Sequence, residues 1–288
     1  MQDYVLFTDS TTDLSPALIE EMDAVVMPMS FTLNGQSYKN YPDGREMPMA
    51  DFYAALRRGG MSTTSQLTME MLRETFTPVL EQGKDVLYLA FSSGLSGTYQ
   101  TACITAQDLM EEYPGRRVVC VDTLQASMGE GLLTFEAALL RKQGKSLDEV
   151  ADYVRTQGQS YCAWFTVEDL MFLKRGGRVS GAAAVAGTLL GIKPVLHVDS
   201  EGKLIPMEKV RGRRASLDAL VKHYKDGALD KTGTVFISHG DCLADAQYVA
   251  EKIRAIGAGR IELNMIGPVI GAHSGPGTVA LFYRGTNR

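Results

Sequence analysis

Val86-Leu87-Tyr88-Leu89-Ala90-Phe91, followed by Ser92-Ser93-Gly94-Leu95-Ser96-Gly97-Thr98 and a run from Tyr99 to Tyr113, predicts an apolar strand, a small polar loop and a helix. The first amides of a helix lack internal partners and lie at the positive end of its dipole, so such a loop suits a carboxylate or a phosphate. The loop carries hydroxyls at Ser92, Ser93, Ser96 and Thr98. It has neither the Lys-Ser/Thr ending of a nucleotide-binding P-loop nor the G-x-S-x-G of a nucleophile elbow. It therefore reads as a seat for a small anion ahead of a catalytic centre.

The same alternation continues on both sides. Strands are predicted at 4–8, at 24–31 (turned at Asn34-Gly35) and at 118–122. Helices are predicted after Ser15-Pro16 and at 50–58, 68–80 and 132–142. A further helix at 147–156 is announced by the capping-box pair Ser146 and Glu149. Strands separated by helices of this length favour a parallel sheet with helices on both faces, and they gather functional loops at the strands' carboxyl ends.

After Gly158 the rhythm changes. Strand 161–167 and a short helix 170–174 lead to Lys174-Arg175-Gly176-Gly177-Arg178 and a small-residue run over 180–191. A hairpin of 193–198 and 204–210 follows, turned at Glu201-Gly202. Helices 216–224 and 244–256 then alternate with strands 235–238, 261–266 and 278–283. The fold class is α/β in two domains: an N-terminal three-layer α/β/α domain over 1–158 with a parallel sheet, and a C-terminal α+β domain over 159–288 with a mixed sheet.

The chain has 288 residues, 45% of them hydrophobic and 22% charged, enough for a well-buried core. Its net charge of −5 and sequence pI near 5.5 argue against a nucleic-acid partner or a membrane-surface binder. Cys103, Cys120, Cys162 and Cys242 are widely spaced without a C-x-x-C pair, which points to thiols of a reducing compartment and against a metal site or disulfide framework. Met1-Gln2-Asp3-Tyr4 shows no charged stretch leading into an apolar core, and no apolar run approaches membrane-spanning length, so stable membrane insertion is not expected and a cytoplasmic protein is.

Four loops of the first half are rich in hydroxyls and poor in cations: 8–13, 62–66, 92–98 and Asp122-Thr123. Hydroxyls and backbone amides can hold a carboxylate by neutral hydrogen bonds, and the same residue types also serve simply as turns and caps. The second half adds cations. Lys174, Arg175 and Arg178 surround a glycine turn, and Lys209, Arg211, Arg213 and Arg214 cluster at a strand end. Arginine suits a carboxylate or phosphate through its planar fork. For Arg213 and Arg214 a solvated patch is the simpler reading, whereas for Arg211 both readings stand. Among the histidines, His273 sits in a Gly- and Pro-rich stretch, 267–277, that allows close backbone approach to a ligand. No metal-ligand spacing and no catalytic carboxylate pair is identifiable.

Taken in order, these strings resemble the DegV family of bacterial fatty-acid-binding proteins. The residues that carry the resemblance are Phe7-Thr8-Asp9-Ser10-Thr11-Thr12-Asp13-Leu14, Thr64-Ser65-Gln66, Ser92 to Gln100, Asp122-Thr123, Leu173 to Arg178, Ile192-Lys193-Pro194, Lys209-Val210-Arg211 and the His273 loop. The resemblance implies one long-chain fatty acid, bound as ligand without a further cofactor or metal, with its carboxylate near an interdomain cleft. It places Thr64, Ser93, His273 and Arg211 at that carboxylate, with Ser65, Ser92, Gly94 and Ser96 close by. It further implies a lipid-binding carrier without catalytic residues, which presents the acyl carboxylate to a separate fatty-acid kinase for phospholipid synthesis. Arg175 and Arg178 would then face that kinase. After Thr64-Ser65-Gln66 the family usually has Pro, where this chain has Leu67. Two other readings of the residues remain: an enzyme or kinase subunit for a small hydroxylated or phosphorylated substrate, similar to the dihydroxyacetone kinases, and a hydrolase using Ser93 or Ser96.

Overall fold

A computed structural model describes residues 4–179 and 191–286. Most of the expected small-residue run, residues 180–190, lies outside the described residues. The first half of the chain runs β1 (Tyr4–Asp9), α1 (Pro16–Met22), β2 (Val25–Met27), β3 (Ser30–Leu33), β4 (Gln36–Lys39), α2 (Met49–Arg57), β5 (Ser62–Ser65), α3 (Met69–Glu81), β6 (Asp85–Ala90), α4 (Thr98–Glu112), β7 (Val118–Asp122), α5 (Met128–Lys142) and α6 (Leu147–Gln157). The second half runs β8 (Tyr161–Thr166), α7 (Met171–Arg175), β9 (Ile192–Val198), β10 (Leu204–Arg211), α8 (Arg213–Gly227), β11 (Val235–His239), α9 (Leu243–Ile256), β12 (Ile261–Met265), α10 (Pro268–Ser274) and β13 (Val279–Arg284).

Strands β2-β1-β6-β7 form an all-parallel sheet. Alternation along β6 divides its side chains: Val86, Tyr88 and Ala90 join the core shared with α2, α3 and α4, while Leu87 and Leu89 join the core shared with α1, α5 and α6. The predicted three-layer α/β/α arrangement is thus realised. The second sheet, β10-β9-β8-β13-β11-β12, is antiparallel except for the parallel pair β11–β12. One of its faces, bearing Ala163, Phe165, Phe236, Ala280 and Phe282, belongs to the same core as α5. The other face, bearing Trp164, Ile237 and Leu281, packs under α8 and α9.

Helix α5 accordingly lies between the two sheets, and eleven of its fifteen residues are buried. The chain crosses from the first sheet to the second between β7 and β8, around Gly158. No helix among the described residues is long and apolar enough to cross a membrane.

Two local features depart from the sequence expectation. The segment 24–31 is two strands: β2 ends in the parallel sheet, and β3 opens a separate antiparallel sheet, β4-β3-β5. The expected turn holds, because Asn34 and Gly35 both take the positive φ (51° and 84°) that a two-residue hairpin requires. The Gly- and Pro-rich stretch around His273 is a helix, α10, and not a loop. Pro268 occupies its first turn, where a missing N–H costs nothing, and Gly271 lets it press on α2, since a Cβ there would lie 2.6 Å from the Tyr53 hydroxyl.

Candidate functional site

A cavity of about 330 Å³ opens where β5, the β6–α4 loop, the start of α5, α10 and the inner face of the mixed sheet converge. Its volume falls within the range of small-molecule sites, roughly 300–1,000 Å³. Most of its wall is apolar, with Phe165, Leu173, Val198, Ile266, Ala280 and Phe282 among the lining side chains. A second recess of about 200 Å³ shares Thr64, Arg178 and His273 with the first and adds Met61, Phe172 and Arg175.

The polar groups gather at this junction. Thr64, on edge strand β5 opposite Phe31, places its Oγ1 2.8 Å from Nε2 of His273. The other ring nitrogen, Nδ1, is buried without a partner among the described residues. Gly176 makes room for it, since a Cβ at that position would lie 2.1 Å from Nδ1. Burial, with a contribution from the Arg178 guanidinium, pushes the His273 pKa down to about 4, so the ring is neutral at pH 7.

Arg178 lies in the wall of both cavities. Its Nε donates to the Leu95 carbonyl at 3.2 Å and Nη1 donates to the Gly176 carbonyl. Burial lowers its pKa from the ordinary value. Among the described residues no carboxylate pairs with it, unlike Arg57, Arg117, Arg213 and Arg260, each of which has an acidic partner. Ser65, Gln66, Ser96 and Gly97 complete this end of the cavity. The result is a neutral imidazole, a hydroxyl and a partly desolvated cation at one end of an apolar space, an arrangement that can hold the carboxylate of an amphiphile.

Of the residues singled out from the sequence, the structure brings Thr64, Ser65, Ser96, His273 and Arg178 together and leaves others apart. Ser93 is exposed and outside both cavities, because its amide donates to Asp122 Oδ1 at 3.2 Å and the turn directs its side chain to solvent. Ser96, three residues on, faces the cavity instead, and its Oγ also accepts from the Thr98 amide at 3.2 Å at the start of α4.

Arg211 ends β10 exposed and likewise outside both cavities. Ser92 and Gly94 hold the two halves together: Ser92 Oγ donates to the Gly202 carbonyl at 2.8 Å, and a Cβ on Gly94 would lie 2.6 Å from the Glu201 carbonyl. Arg175 borders only the second recess, over the Phe172 ring at 4.6 Å. Arg214 is exposed and stacks on Tyr248, whereas Arg213 pairs with Asp245 and is largely enclosed, with its Nη1 buried, and so is not the solvated side chain expected of it. Leu67 is fully buried, and its amide donates to Thr98 Oγ1 at 3.4 Å, a bond that proline cannot make.

The hydroxyl-rich loops therefore divide. The loops at 62–66 and 92–98 line the cavity, while 8–13 and Asp122-Thr123 are committed to internal bonds. Thr123 Oγ1 donates to the Ala90 carbonyl at 2.8 Å. In the first of the committed loops, Thr8 and Thr11 donate to the Glu130 carboxyl at 3.0 and 2.8 Å, and the Thr11 amide donates to Asp9 Oδ1 at 3.0 Å. Tyr88 donates to Asp9 at 2.7 Å. Ser127 and the Gly267 amide donate to Asp13 at 2.6 and 2.8 Å.

Asp9, Asp13 and Glu130 are thus three buried acids, and burial pushes all their pKa values up, Asp13 to about 8. Glu130 escapes sequence reasoning because it sits in the first turn of α5, where an acid is ordinarily a solvent-facing partner of the helix dipole. Arg178 was legible as a cation, but its place in the cavity wall was not.

Comparison with known proteins places the chain. The family described as "Uncharacterised protein, DegV family" matches residues 4–286, and the chain belongs to it. A DegV domain-containing protein of Clostridium perfringens is 40% identical over 290 residues, which span 100% of this chain and 99% of the relative. A solved structure described as "Fatty Acid Binding of a DegV family Protein from Thermus thermophilus" superposes with a TM-score of 0.88 at 31% identity, covering 99% of this chain and 100% of that one. The structure described as "DegV, a fatty acid binding protein from Bacillus subtilis" does so with a TM-score of 0.85 at 25% identity, covering 98% and 99%.

Proposed function

We propose that this DegV-family chain binds one long-chain fatty acid in the 330 Å³ cavity, with the carboxylate at Thr64, His273 and Arg178 and the acyl chain along Phe165, Ala280 and Phe282. The observation that carries this reading is Arg178. A half-buried guanidinium without an acidic partner among the described residues is costly, and an anion placed against it offsets that cost. An apolar space beyond it favours an anion with a hydrocarbon tail, at roughly 0.8 kcal/mol for each methylene buried. The fatty acids named for the Thermus thermophilus and Bacillus subtilis proteins support the same ligand class.

The protein acts as a carrier. The polar end of the cavity meets the recess bordered by Met61 and Arg175, so the carboxylate lies toward that recess and the tail toward the core. A separate fatty-acid kinase would phosphorylate the acid at this end, and Arg175, exposed at the border of the recess, is a cation for it to meet. In a reconstituted reaction with ATP and a bacterial fatty-acid kinase, acyl phosphate should form from acid loaded on this protein and not from free acid. Arg175→Glu should lower the rate while leaving the loaded fraction unchanged. Equal acyl phosphate with and without the protein would refute the carrier role.

A further inference from the structure

Away from the cavity, helix α4 lies on edge strand β7, and two cysteines meet between them. Cys103 is on the second turn of α4 and Cys120 is at the middle of β7, both partly exposed and neither in a disulfide. Strand alternation puts Cys120, like Val118, on the face of the sheet that α4 covers with Ala102, Ala106 and Leu109. The Cys103 sulfur is in hydrogen-bond contact with the Cys120 thiol and with the hydroxyl of Tyr99, one helical turn before it. The other two cysteines are placed differently. Cys162 is 1% exposed, and the Cys242 thiol donates to the Thr278 carbonyl at 3.3 Å and is pushed up to about 11 by burial.

A disulfide holds its sulfurs about 2.0 Å apart, so two thiols already in contact need only a small approach of α4 to β7 to form one. The attacking species in such chemistry is the thiolate. Hydrogen bonds from Cys120 and from Tyr99 outweigh burial and the Asp122 carboxylate, and they hold the Cys103 thiol below its ordinary range. The same contact, with burial, holds Cys120 above it. A thiol that ionises readily therefore stands against a more enclosed one that does not, which is how an attacking and a resolving cysteine are arranged.

We propose that Cys103 and Cys120 are a redox-sensitive pair, oxidised reversibly to a disulfide by small disulfides of the glutathione class, with Cys103 attacking and Cys120 resolving. The Cys103 thiolate attacks one sulfur of the small disulfide, whose S–S bond breaks, and the first thiol leaves after taking up a proton. Cys120 gives up its proton and attacks the Cys103 sulfur of the mixed disulfide, the Cys103–Cys120 bond forms, and the second thiol leaves with that proton. Two protein thiols are thereby oxidised and one small disulfide is reduced to two thiols. This inference is independent of the fatty-acid reading of the cavity. The test is incubation of the folded full chain with oxidised glutathione, followed by alkylation of the remaining thiols, intact mass spectrometry and peptide mapping. The wild type should lose two hydrogens, yield a linked peptide pair containing Cys103 and Cys120, and regain both thiols in dithiothreitol; Cys120→Ser should instead keep one glutathione on Cys103. A wild-type chain that stays fully reduced overturns the proposal, as does a bond that involves Cys162 or Cys242. A Cys120→Ser chain that takes up no glutathione on Cys103 overturns the assignment of Cys103 as the attacking thiol.

Discussion

Thr64 and His273 are 209 residues apart in sequence and 2.8 Å apart in space, and the proposed carboxylate site turns on that contact. Thr64→Val keeps the shape and removes the hydroxyl, so it should weaken fatty-acid binding by about 1–3 kcal/mol, measured by titration of delipidated protein. Ser96→Ala should weaken it in the same direction. Ser93→Ala should leave it within about 0.5 kcal/mol, because the side chain faces solvent. A loss in Ser93→Ala equal to that in Thr64→Val would contradict the placement of the site.

The buried acids make a separate prediction at this scale. Asp13 holds its proton up to about pH 8 in the folded chain, while an unfolded aspartate ionises near 3.9. Between those values the folded state binds the extra proton, so the contribution of Asp13 to stability is fully present below about pH 4 and is lost as the pH rises toward 8. Asp9 and Glu130 act in the same direction. Tm should therefore decline between pH 5 and 8, and Asp13→Asn should flatten that decline; an identical slope in the variant would show that the acid ionises freely in the fold.

At the scale of elements, much was legible because local signals and tertiary demands coincide. The capping box at Ser146 and Glu149 forms with both of its bonds, and α6 begins where it predicts. The Asn34-Gly35 turn and the β6–loop–α4 stretch hold as well. What was hidden is the conformation of segments whose signals are tertiary. β5 is a four-residue edge strand of Ser and Thr that exists because β3 offers it a partner, and α10 is a helix because its small residues fit against Phe52 and Tyr53. The committed loops at 8–13 and 122–123 look like the cavity loops in composition, and only their partners separate them.

The turn after α7 tests how firmly these elements hold the imidazole. Gly176 has ordinary helical φ (−72°), so Gly176→Ala is tolerated by the backbone, but its methyl would displace His273 from Thr64. Affinity for fatty acid should drop by about tenfold, roughly 1.4 kcal/mol, with Tm little changed. Unaltered affinity would show that the ring position is not needed.

For the whole molecule, the two sheets share one continuous core through α5, and Phe165, Ala280 and Phe282 serve both that core and the cavity wall. The division into an N-terminal domain over 1–158 and a C-terminal domain over 159–288 is a proposal that follows the change of sheet, and we propose that the two halves fold together. Either half expressed alone would expose the faces that α5 joins, and it should lack a cooperative thermal transition. Chain alternation made both sheets legible in advance, but a helix buried on nearly all sides looks in sequence like any apolar helix, so the shared layer was not.

A ligand lying between β5, α10 and the mixed sheet touches both halves and binds only the folded state. At a free concentration 100 times Kd it should stabilise the chain by about 2.7 kcal/mol, read as a rise in Tm of several degrees.

The most direct test of the fatty-acid assignment is mass spectrometry of the organic extract from protein purified without added lipid. We predict a fatty acid in near-stoichiometric amount, retained by the wild type and depleted in Thr64→Val. An empty extract, together with no uptake of any fatty acid by the purified chain, would contradict it.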